Sequence, residues 1–160
     1  ALTAFINRLY SNTREYVRNQ FFTWLKATEE SSTKGFSITS DGCILGYKGC
    51  KLINGTAYSV HDGYGIVDNV EYNGHLPNKI GSIVEMPKKM VQDNPSIGCS
   101  TGLHVGTWDY ATEFSSEIVI VVKVDPADIV SIPTECNAQK IRCCRYEVMS
   151  VAPEVKQLLD

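Results

Sequence analysis

The chain has 160 residues with a formal net charge of −3 and an isoelectric point near 5.6, and 43% of its residues are hydrophobic. This length fits one domain, and the apolar content is too high for a disordered tail. The acidic balance argues against a dominant surface for nucleic acid or anionic membranes. No apolar run approaches the ~20 residues that a bilayer-spanning helix needs, and no secretion signal precedes the first amphipathic stretch. The composition therefore predicts a soluble, cytosolic domain.

Residues 1–30 carry the pattern of two short helices. The first apolar stripe has the spacing of one helix face and consists of Leu2, Phe5, Ile6 and Leu9. Asn12 followed by Glu15 is typical of a helix N-cap with its third-position acid, so a second helix is expected to begin there. The stripe of that helix consists of Val17, Phe21, Trp24 and Leu25. We therefore predict an N-terminal helical segment over 1–30, then a linker, then a second unit over 36–160.

The hydrophobic period changes after the linker. Residues 36–39 alternate, Ser40-Asp41-Gly42 supplies turn chemistry, and residues 43–50 resume an extended pattern. This order predicts a β-hairpin. Glycines recur throughout residues 54–82, which are expected to form loops with short strands at most. Residues 83–86 form a further short strand candidate.

The second half of the chain holds two long strand candidates. The β-branched run Ile118–Val124 is nearly continuous, which predicts burial on both faces. Lys140–Val151 offers the other strand. Thr107 is placed to cap a short helix that ends at Phe114, and a terminal helix is predicted over 154–159.

These patterns together predict an α+β fold. An N-terminal helical pair is followed by a mostly antiparallel, twisted sheet. A short helix is expected directly after the segment 99–106, whose sequence is CSTGLHVG. The chain shows neither an internal repeat nor a low-complexity tract.

Two sets of residues have the types but not the spacing of metal ligands. The six cysteines are Cys43, Cys50, Cys99, Cys136, Cys143 and Cys144. They form no C-x₂-C knuckle, so free thiols packed as small hydrophobic groups are favoured over structural zinc or disulfides. His61, Asp62, Glu71 and His75 are irregularly spaced, so a solvated loop is favoured over a metal site.

The segment 99–106 concentrates a thiol, two hydroxyls and an imidazole within eight residues. Cys99 and His104 are candidates for a nucleophile and its base, if their side chains come together. The glycines ahead of the predicted helix would instead admit an anion. The plain alternative is an ordinary turn in which His104 hydrogen-bonds inside the fold.

Charges alternate along the last predicted strand. Arg145 and Glu147 are expected to share one face, while Cys144, Tyr146 and Val148 occupy the other. A solvated charged face is the plain interpretation of this alternation, which also includes Arg142. The sharper interpretation is a carboxylate that points into a cleft.

Several sequence segments resemble the C-terminal part of the phage rIIB protein family, and they occur in the same order over roughly residues 36–151. These segments are Asp41-Gly42, Gly46-Tyr47-Lys48, Glu85-Met86-Pro87, the cluster Cys99–Val105, Tyr110 with Phe114, Val122-Lys123-Val124, the run Pro126–Pro133, and Lys140-Ile141-Arg142 with Tyr146-Glu147-Val148. The name-giving member acts with its rIIA partner in lysis timing and in exclusion of other phages.

This resemblance implies a viral accessory protein that works in the cytoplasm of the infected bacterium. Its role would be lysis timing, superinfection exclusion or host takeover, exerted by binding a host or phage protein rather than nucleic acid. The large N-terminal half of the T-even type has no counterpart in these residues, so pairing with an rIIA-type partner is left open. A virion-associated structural protein is a further alternative.

A second resemblance, at the level of the fold, is to ADP-ribosyltransferases. Lys48, the run Ser100–His104, and Glu147 follow the order of that family's basic residue, Ser-Thr element and catalytic glutamate. The resemblance implies an NAD-dependent mono-ADP-ribosyltransferase in which Glu147 stabilises the ribosyl centre. Two departures are that Lys48 replaces the usual Arg or His, and that Arg145 replaces the first Glu of an E-x-E pair.

Six residues are therefore the candidate site. Glu147 and His104 are the catalytic candidates. The ligand-binding candidates are Tyr47, Lys48, Ser100 and Thr101. No metal or cofactor is expected, apart from NAD under the transferase alternative, and whether the chain is an enzyme is left open.

Overall fold

The computed structural model describes residues 1–29, 36–114, 117–134 and 139–152. Three α-helices lie in these ranges: α1 Leu2–Tyr10, α2 Glu15–Glu29 and α3 Trp108–Phe114. The strands of the first half are β1 Ser37–Ile38, β2 Ile44–Ile53, β3 Thr56–Tyr58, β4 Gly63–Val67, β5 Val70–Gly74 and β6 Ile83–Glu85. Those of the second half are β7 Leu103–Gly106, β8 Ile118–Val124, β9 Ile129–Ser131, β10 Lys140–Cys143 and β11 Arg145–Val151.

The strands form one sheet with the spatial order β5-β4-β6-β11-β8-β2-β7-β10-β9, and β1 and β3 also pair with β2. The strand pairs of the described residues are antiparallel. The predicted α+β fold is therefore confirmed, including the hairpin of β1 with β2. The short helix α3 also lies where it was predicted, and the Thr107 hydroxyl accepts a hydrogen bond from the Tyr110 N–H at 3.2 Å.

The ten-residue strand β2 joins the two halves of the sheet. It pairs with β8 over seven positions, from Ile44 opposite Val124 to Cys50 opposite Ile118. Its pairing with β7 is limited to Tyr47 opposite Gly106. A Cβ atom on Gly106 would lie 2.5 Å from the ring of Tyr110, so the close packing of Tyr110 against β7 requires glycine at this position. The remainder of β7 diverges from β2 and leaves space between the two strands.

The predicted burial of β8 on both faces is wrong for one face. Ile120, Val122 and Val124 are fully buried, but Val119, Val121 and Lys123 are only half-buried. The second face stays open because it carries Lys123, whose ammonium group reaches Asp41 at the surface.

The strand predicted over Lys140–Val151 is interrupted at Cys144. There the Cys144 N–H donates to the carbonyl of Asp128 at 3.0 Å, outside the ladders of β10 and β11. β10 pairs with β7 and β9, whereas β11 pairs with β6 and β8. Because of the interruption, β10 and β11 are consecutive in the chain but lie at separate positions in the sheet.

Both N-terminal helices pack into the same hydrophobic core as the sheet. Phe5 and Leu9 of α1 and Val17 and Phe21 of α2 are buried there, and the Phe5 and Phe21 rings lie 5.1 Å apart. The predicted division into a segment over 1–30 and a unit over 36–160 stays a prediction, because residues 30–35 between them lie outside the described ranges.

Asn12 does not cap α2 as predicted. The helix begins three residues later, at Glu15. The Asn12 side-chain oxygen Oδ1 accepts from the Arg14 N–H at 2.9 Å, and its side-chain Nδ2 donates to the carbonyls of Pro126 and Ile129 at 2.9 and 2.8 Å. Because Asn12 is buried, these bonds fasten the connection between the helices to the sheet.

Three predictions fall outside the described residues. They are the place of Trp24 and Leu25 in the apolar stripe of the second helix, the state of Cys136, and the terminal helix over 154–159. Among the described residues, no helix has the length and apolar character required to cross a bilayer.

A charge network joins α1 to the turn before β2. Arg8 donates to the Asp41 carbonyl and to the Asp125 carboxylate, each at 2.6 Å. The Lys123 ammonium contacts the Asp41 carboxylate at 2.8 Å, and the Thr39 hydroxyl donates to the same carboxylate. The hydrogen bond from Lys123, followed by that from Thr39, lowers the pKa of Asp41 from 3.8 to about 2.

Asp41→Asn is expected to lower the free energy of unfolding at neutral pH. Because the pKa of Asp41 is lower in the folded state, its stabilisation is present above pH ~4 and is lost as the pH falls towards about 2. The measurement is denaturant unfolding of both proteins from pH 7 to pH 2. The difference in free energy of unfolding should be constant near neutral pH, shrink below pH ~4 and be smallest at pH 2.

Glu113→Gln is the matched control, because this exposed carboxylate makes no ion pair within the described residues. If the difference in free energy of unfolding between wild type and Asp41→Asn does not change with pH, the lowered pKa of Asp41 is contradicted.

Candidate functional site

A cavity of about 540 Å³ lies where β2 and β7 diverge. We term it the β2–β7 cavity. Its walls come from β2, from the loop between β3 and β4, and from the segment that leads into β7. Five of the six candidate residues line it, namely Tyr47, Lys48, Ser100, Thr101 and His104. The structure therefore brings together residues that are up to 57 positions apart in the chain, a span set by Tyr47 and His104 (104 − 47).

Lys48 bridges the gap between the two strands. Its ammonium group donates to the His104 carbonyl at 2.9 Å and lies 5.7 Å from the centre of the Tyr146 ring. Burial lowers the pKa of Lys48, because the charged form loses its hydration. Within the described residues, no carboxylate lies within 4.0 Å of the ammonium group. Lys48 thus presents a positive charge to the cavity without a counter-charge.

The His104 imidazole is buried without a partner for one of its nitrogens. Nε2 makes no hydrogen bond with any described residue. Burial, followed by repulsion from Lys48 and from Lys140, lowers the pKa of His104 to about 3, so the ring is neutral at pH 7. An unsatisfied buried polar atom costs ~1–3 kcal/mol. A bound group that reaches Nε2 would relieve this cost.

Cys99 and His104 do not form a nucleophile pair. Cys99 is exposed and is absent from the lining of the β2–β7 cavity, whereas His104 lines it. Nε2 of His104 makes no hydrogen bond to the Cys99 sulfur.

Glu147 is the candidate that lies elsewhere. It faces away from Tyr146, its neighbour on β11, and only Tyr146 lines the cavity. In the sheet register, Glu147 is opposite Lys123 on one side and Ile83 on the other. Glu147, Ser100 and Lys48 therefore share no cleft. The arrangement that an ADP-ribosyltransferase would require is not present.

Arg142 positions the segment that carries Ser100 and Thr101. It is completely buried, in contrast to the solvated charged face predicted for the alternating charges. Its guanidinium donates to the carbonyls of Asn94 and Ile97 at 2.7 and 2.6 Å, and to the Ser131 hydroxyl at 2.7 Å. The Ser131 hydroxyl donates in turn to the Gln92 carbonyl at 2.6 Å. No local pattern in the sequence signals this role.

The opposite wall is held by His75. Its Nδ1 lies 2.9 Å from the Ser59 carbonyl, and its Nε2 lies 2.7 Å from the Asp62 carboxylate. The Ser59 hydroxyl accepts from the Leu76 N–H at 2.7 Å. His75 and Asp62 thus fasten the loop between β3 and β4. In the described part of the chain, no three His, Cys, Asp or Glu side chains are placed to hold a metal ion.

Four of the five described cysteines are buried or half-buried as predicted, whereas Cys99 is exposed. Cys43, Cys50, Cys99, Cys143 and Cys144 form no disulfide with one another. Burial raises the pKa of Cys50 to about 11 and also raises the pKa of Cys143.

Arg142→Met is expected to lower the free energy of unfolding by more than about 2 kcal/mol, because it leaves the buried Ser131 hydroxyl and two part-buried carbonyls without a charged donor. Arg142→Lys should recover only part of this loss, because an ammonium group lacks the planar fork. Denaturant unfolding measures the effect, and hydrogen exchange over residues 92–101 reports whether that segment loosens. The control is Arg145→Met, whose side chain is 52% exposed. Equal behaviour of the two variants would contradict the positioning role.

Tyr146→Phe tests the floor of the cavity. The Tyr146 hydroxyl donates to the side-chain oxygen Oδ1 of the buried Asn78. Removing the hydroxyl leaves that acceptor unsatisfied, so we expect a loss of ~1–3 kcal/mol in the free energy of unfolding. Tyr10→Phe, at a position that is 65% exposed, should change it little. A Tyr146→Phe protein as stable as wild type would show that the hydrogen bond contributes nothing.

Comparison with known proteins identifies the family. The family model described as bacteriophage T4 protein rIIB matches residues 9–157. The chain is also similar to protein rIIB of Enterobacteria phage T4, with 30% identity over 152 residues. That alignment covers 94% of this chain and 42% of the T4 protein, so the chain spans less than half the length of that relative.

No solved structure matches the chain. The likeness to the ADP-ribosyltransferase fold therefore stays a prediction. The resemblance to rIIB, by contrast, is confirmed over nearly the whole sequence. The chain belongs to the bacteriophage T4 rIIB family.

Proposed function

We propose that this chain is a phage accessory protein that acts in the infected bacterium by binding a host or phage protein at the β2–β7 cavity. One observation carries the proposal. Among the described residues, the ammonium group of Lys48 has no carboxylate partner and Nε2 of His104 has no hydrogen-bond partner, and both residues line this cavity.

The side chains of the cavity argue for binding over catalysis. A general base works best with a pKa near the operating pH, and the pKa of His104 is about 3. The hydroxyls of Ser100 and Thr101 donate to no imidazole or carboxylate among the described residues, so neither is activated as a nucleophile. Among the candidate residues, His104 is therefore unsuited to act as a general base at neutral pH, and Ser100 and Thr101 lack an activating partner.

The apolar part of the lining suits a protein partner. Met86, Met90 and several tyrosines line the cavity, and Met90 is 42% exposed. Methionine and tyrosine are enriched in protein interfaces, since methionine adapts its shape and tyrosine combines an apolar ring with a polar end.

Within that binding role, we propose lysis timing, superinfection exclusion or host takeover as the biological setting, and the host cytoplasm as the location. These roles extend to this chain by its family membership, while it spans 42% of the T4 protein. Transferase activity lacks a supporting arrangement, because Glu147 lies outside the cavity. No structural observation favours a virion-associated role.

Thr101→Trp tests the proposal. Thr101 is exposed at the cavity, so a large ring there is expected to obstruct the site without disturbing the core. Tagged wild-type protein, purified from infected cells, is expected to retain a partner that mass spectrometry identifies. The variant should retain at least about tenfold less of it, which corresponds to the loss of ~1.4 kcal/mol of binding free energy.

Ser37→Trp adds the same bulk at an exposed position on β1, away from the cavity, and should retain the partner. Circular dichroism and thermal unfolding establish that both variants fold. Equal retention by both variants would remove the cavity as the binding site. The absence of any partner above a tag-only control would overturn the binding role.

A further inference from the structure

A second cavity of about 460 Å³ adjoins the first. The two share Met90, Ser100 and Thr101 in their walls. The second cavity is also lined by Arg14, Lys88 and Lys89, so we term it the basic cavity. Ser100 and Thr101 form the boundary between the two, and a ligand that lies across them would reach both.

The two cavities concentrate cationic side chains on a protein whose net charge is negative. Four cationic side chains line them, Lys48 in the β2–β7 cavity and Arg14, Lys88 and Lys89 in the basic cavity. The two carboxylates in the lining already have partners. Asp62 contacts His75 at 2.7 Å, and Asp93 contacts Arg14 at 3.2 Å. Because the contact with Asp93 offsets the charge of Arg14, the local excess of positive charge on this chain of net charge −3 comes from Lys48, Lys88 and Lys89, which have no carboxylate partner among the described residues.

Unsatisfied polar atoms point to the same place. Among the described residues, two side-chain nitrogens are buried without a hydrogen-bond partner, His104 Nε2 and Arg14 Nε. The residue His104 lines the β2–β7 cavity, and the residue Arg14 lines the basic cavity. Arg14 Nε always carries a proton and can only donate. Buried polar groups are normally paired, so each cavity lacks a hydrogen-bonding group that a ligand would supply.

We propose that the two cavities together bind an acidic peptide segment of the protein partner. This inference rests on the proposed function and names the chemistry that the site recognises. One carboxylate enters the β2–β7 cavity, where Lys48 and His104 meet it, and further carboxylates lie along Arg14, Lys88 and Lys89. Met90, at the boundary, contacts the peptide between them.

Two features favour a peptide over the other polyanions. The cations are distributed over two cavities with Ser100 and Thr101 between them, which suits side chains spaced along a backbone better than one compact phosphate. The acidic surface of the rest of the chain disfavours a long nucleic acid, whose affinity depends on neutralising many phosphates.

Isothermal titration with blocked hexaglutamate tests the proposal, with blocked hexalysine, a thymidine hexanucleotide and inorganic phosphate as comparison probes. Hexaglutamate should bind, and its affinity should fall as salt is added. Lys88→Met with Lys89→Met should weaken it by about tenfold, and Lys48→Met should weaken it as well. The control pair Lys51→Met with Lys79→Met removes the same charge outside both cavities and should leave the affinity unchanged.

Three outcomes would overturn the inference. They are no binding of hexaglutamate at millimolar concentration, equal or tighter binding of the hexanucleotide or of phosphate, and equal losses in the two lysine pairs. The partner assay separates this failure from failure of the proposed function. If Thr101→Trp releases the partner but the Lys88 and Lys89 variant retains it, the cavity binds the partner and the acidic segment is wrong.

Discussion

The limited pairing between β2 and β7 is the constraint on which the site depends. β2 joins the sheet to β8 over seven residue pairs but meets β7 at one, Tyr47 opposite Gly106. Beyond that pair the ladder is replaced by a side chain, since Lys48 donates to the His104 carbonyl. The same divergence that opens the cavity therefore also draws a lysine into it. A fully paired β2 and β7 would leave neither the space nor the charge.

Rigid walls accompany this gap in the sheet. On one side, the buried Arg142 holds the segment 94–97 against the strands, and Ser100 and Thr101 follow directly. On the other side, His75 fastens the loop between β3 and β4 through its contacts with Ser59 and Asp62. The charged residues are thus divided between two tasks. Arg142 and His75 have their hydrogen bonds satisfied by the protein, whereas Lys48 and His104 face the cavity.

Sequence patterns predicted the features that depend on interactions between residues close together in the chain. The apolar stripes of the helices, the β1–β2 hairpin and the cap at Thr107 all follow from residues close together in the chain. Asn12 has the pattern of a cap, but its side chain bonds to carbonyls more than 110 positions away, which no local pattern contains. Alternation on β11 placed Glu147 opposite Tyr146 correctly. Which of the two borders a cavity depends on the neighbours of β11 in the sheet, and therefore on long-range pairing.

The distribution of thiols has a practical consequence for chemical labelling. Thiolates are the reactive form of cysteine, and burial disfavours that form at Cys43, Cys50, Cys143 and Cys144. Cys99 is the exposed thiol among those described, and it lies two residues before Thr101. Of these five thiols, a maleimide dye at neutral pH is therefore directed to Cys99. The fluorophore would stand at the rim shared by the two cavities, where its emission would respond to whatever enters them.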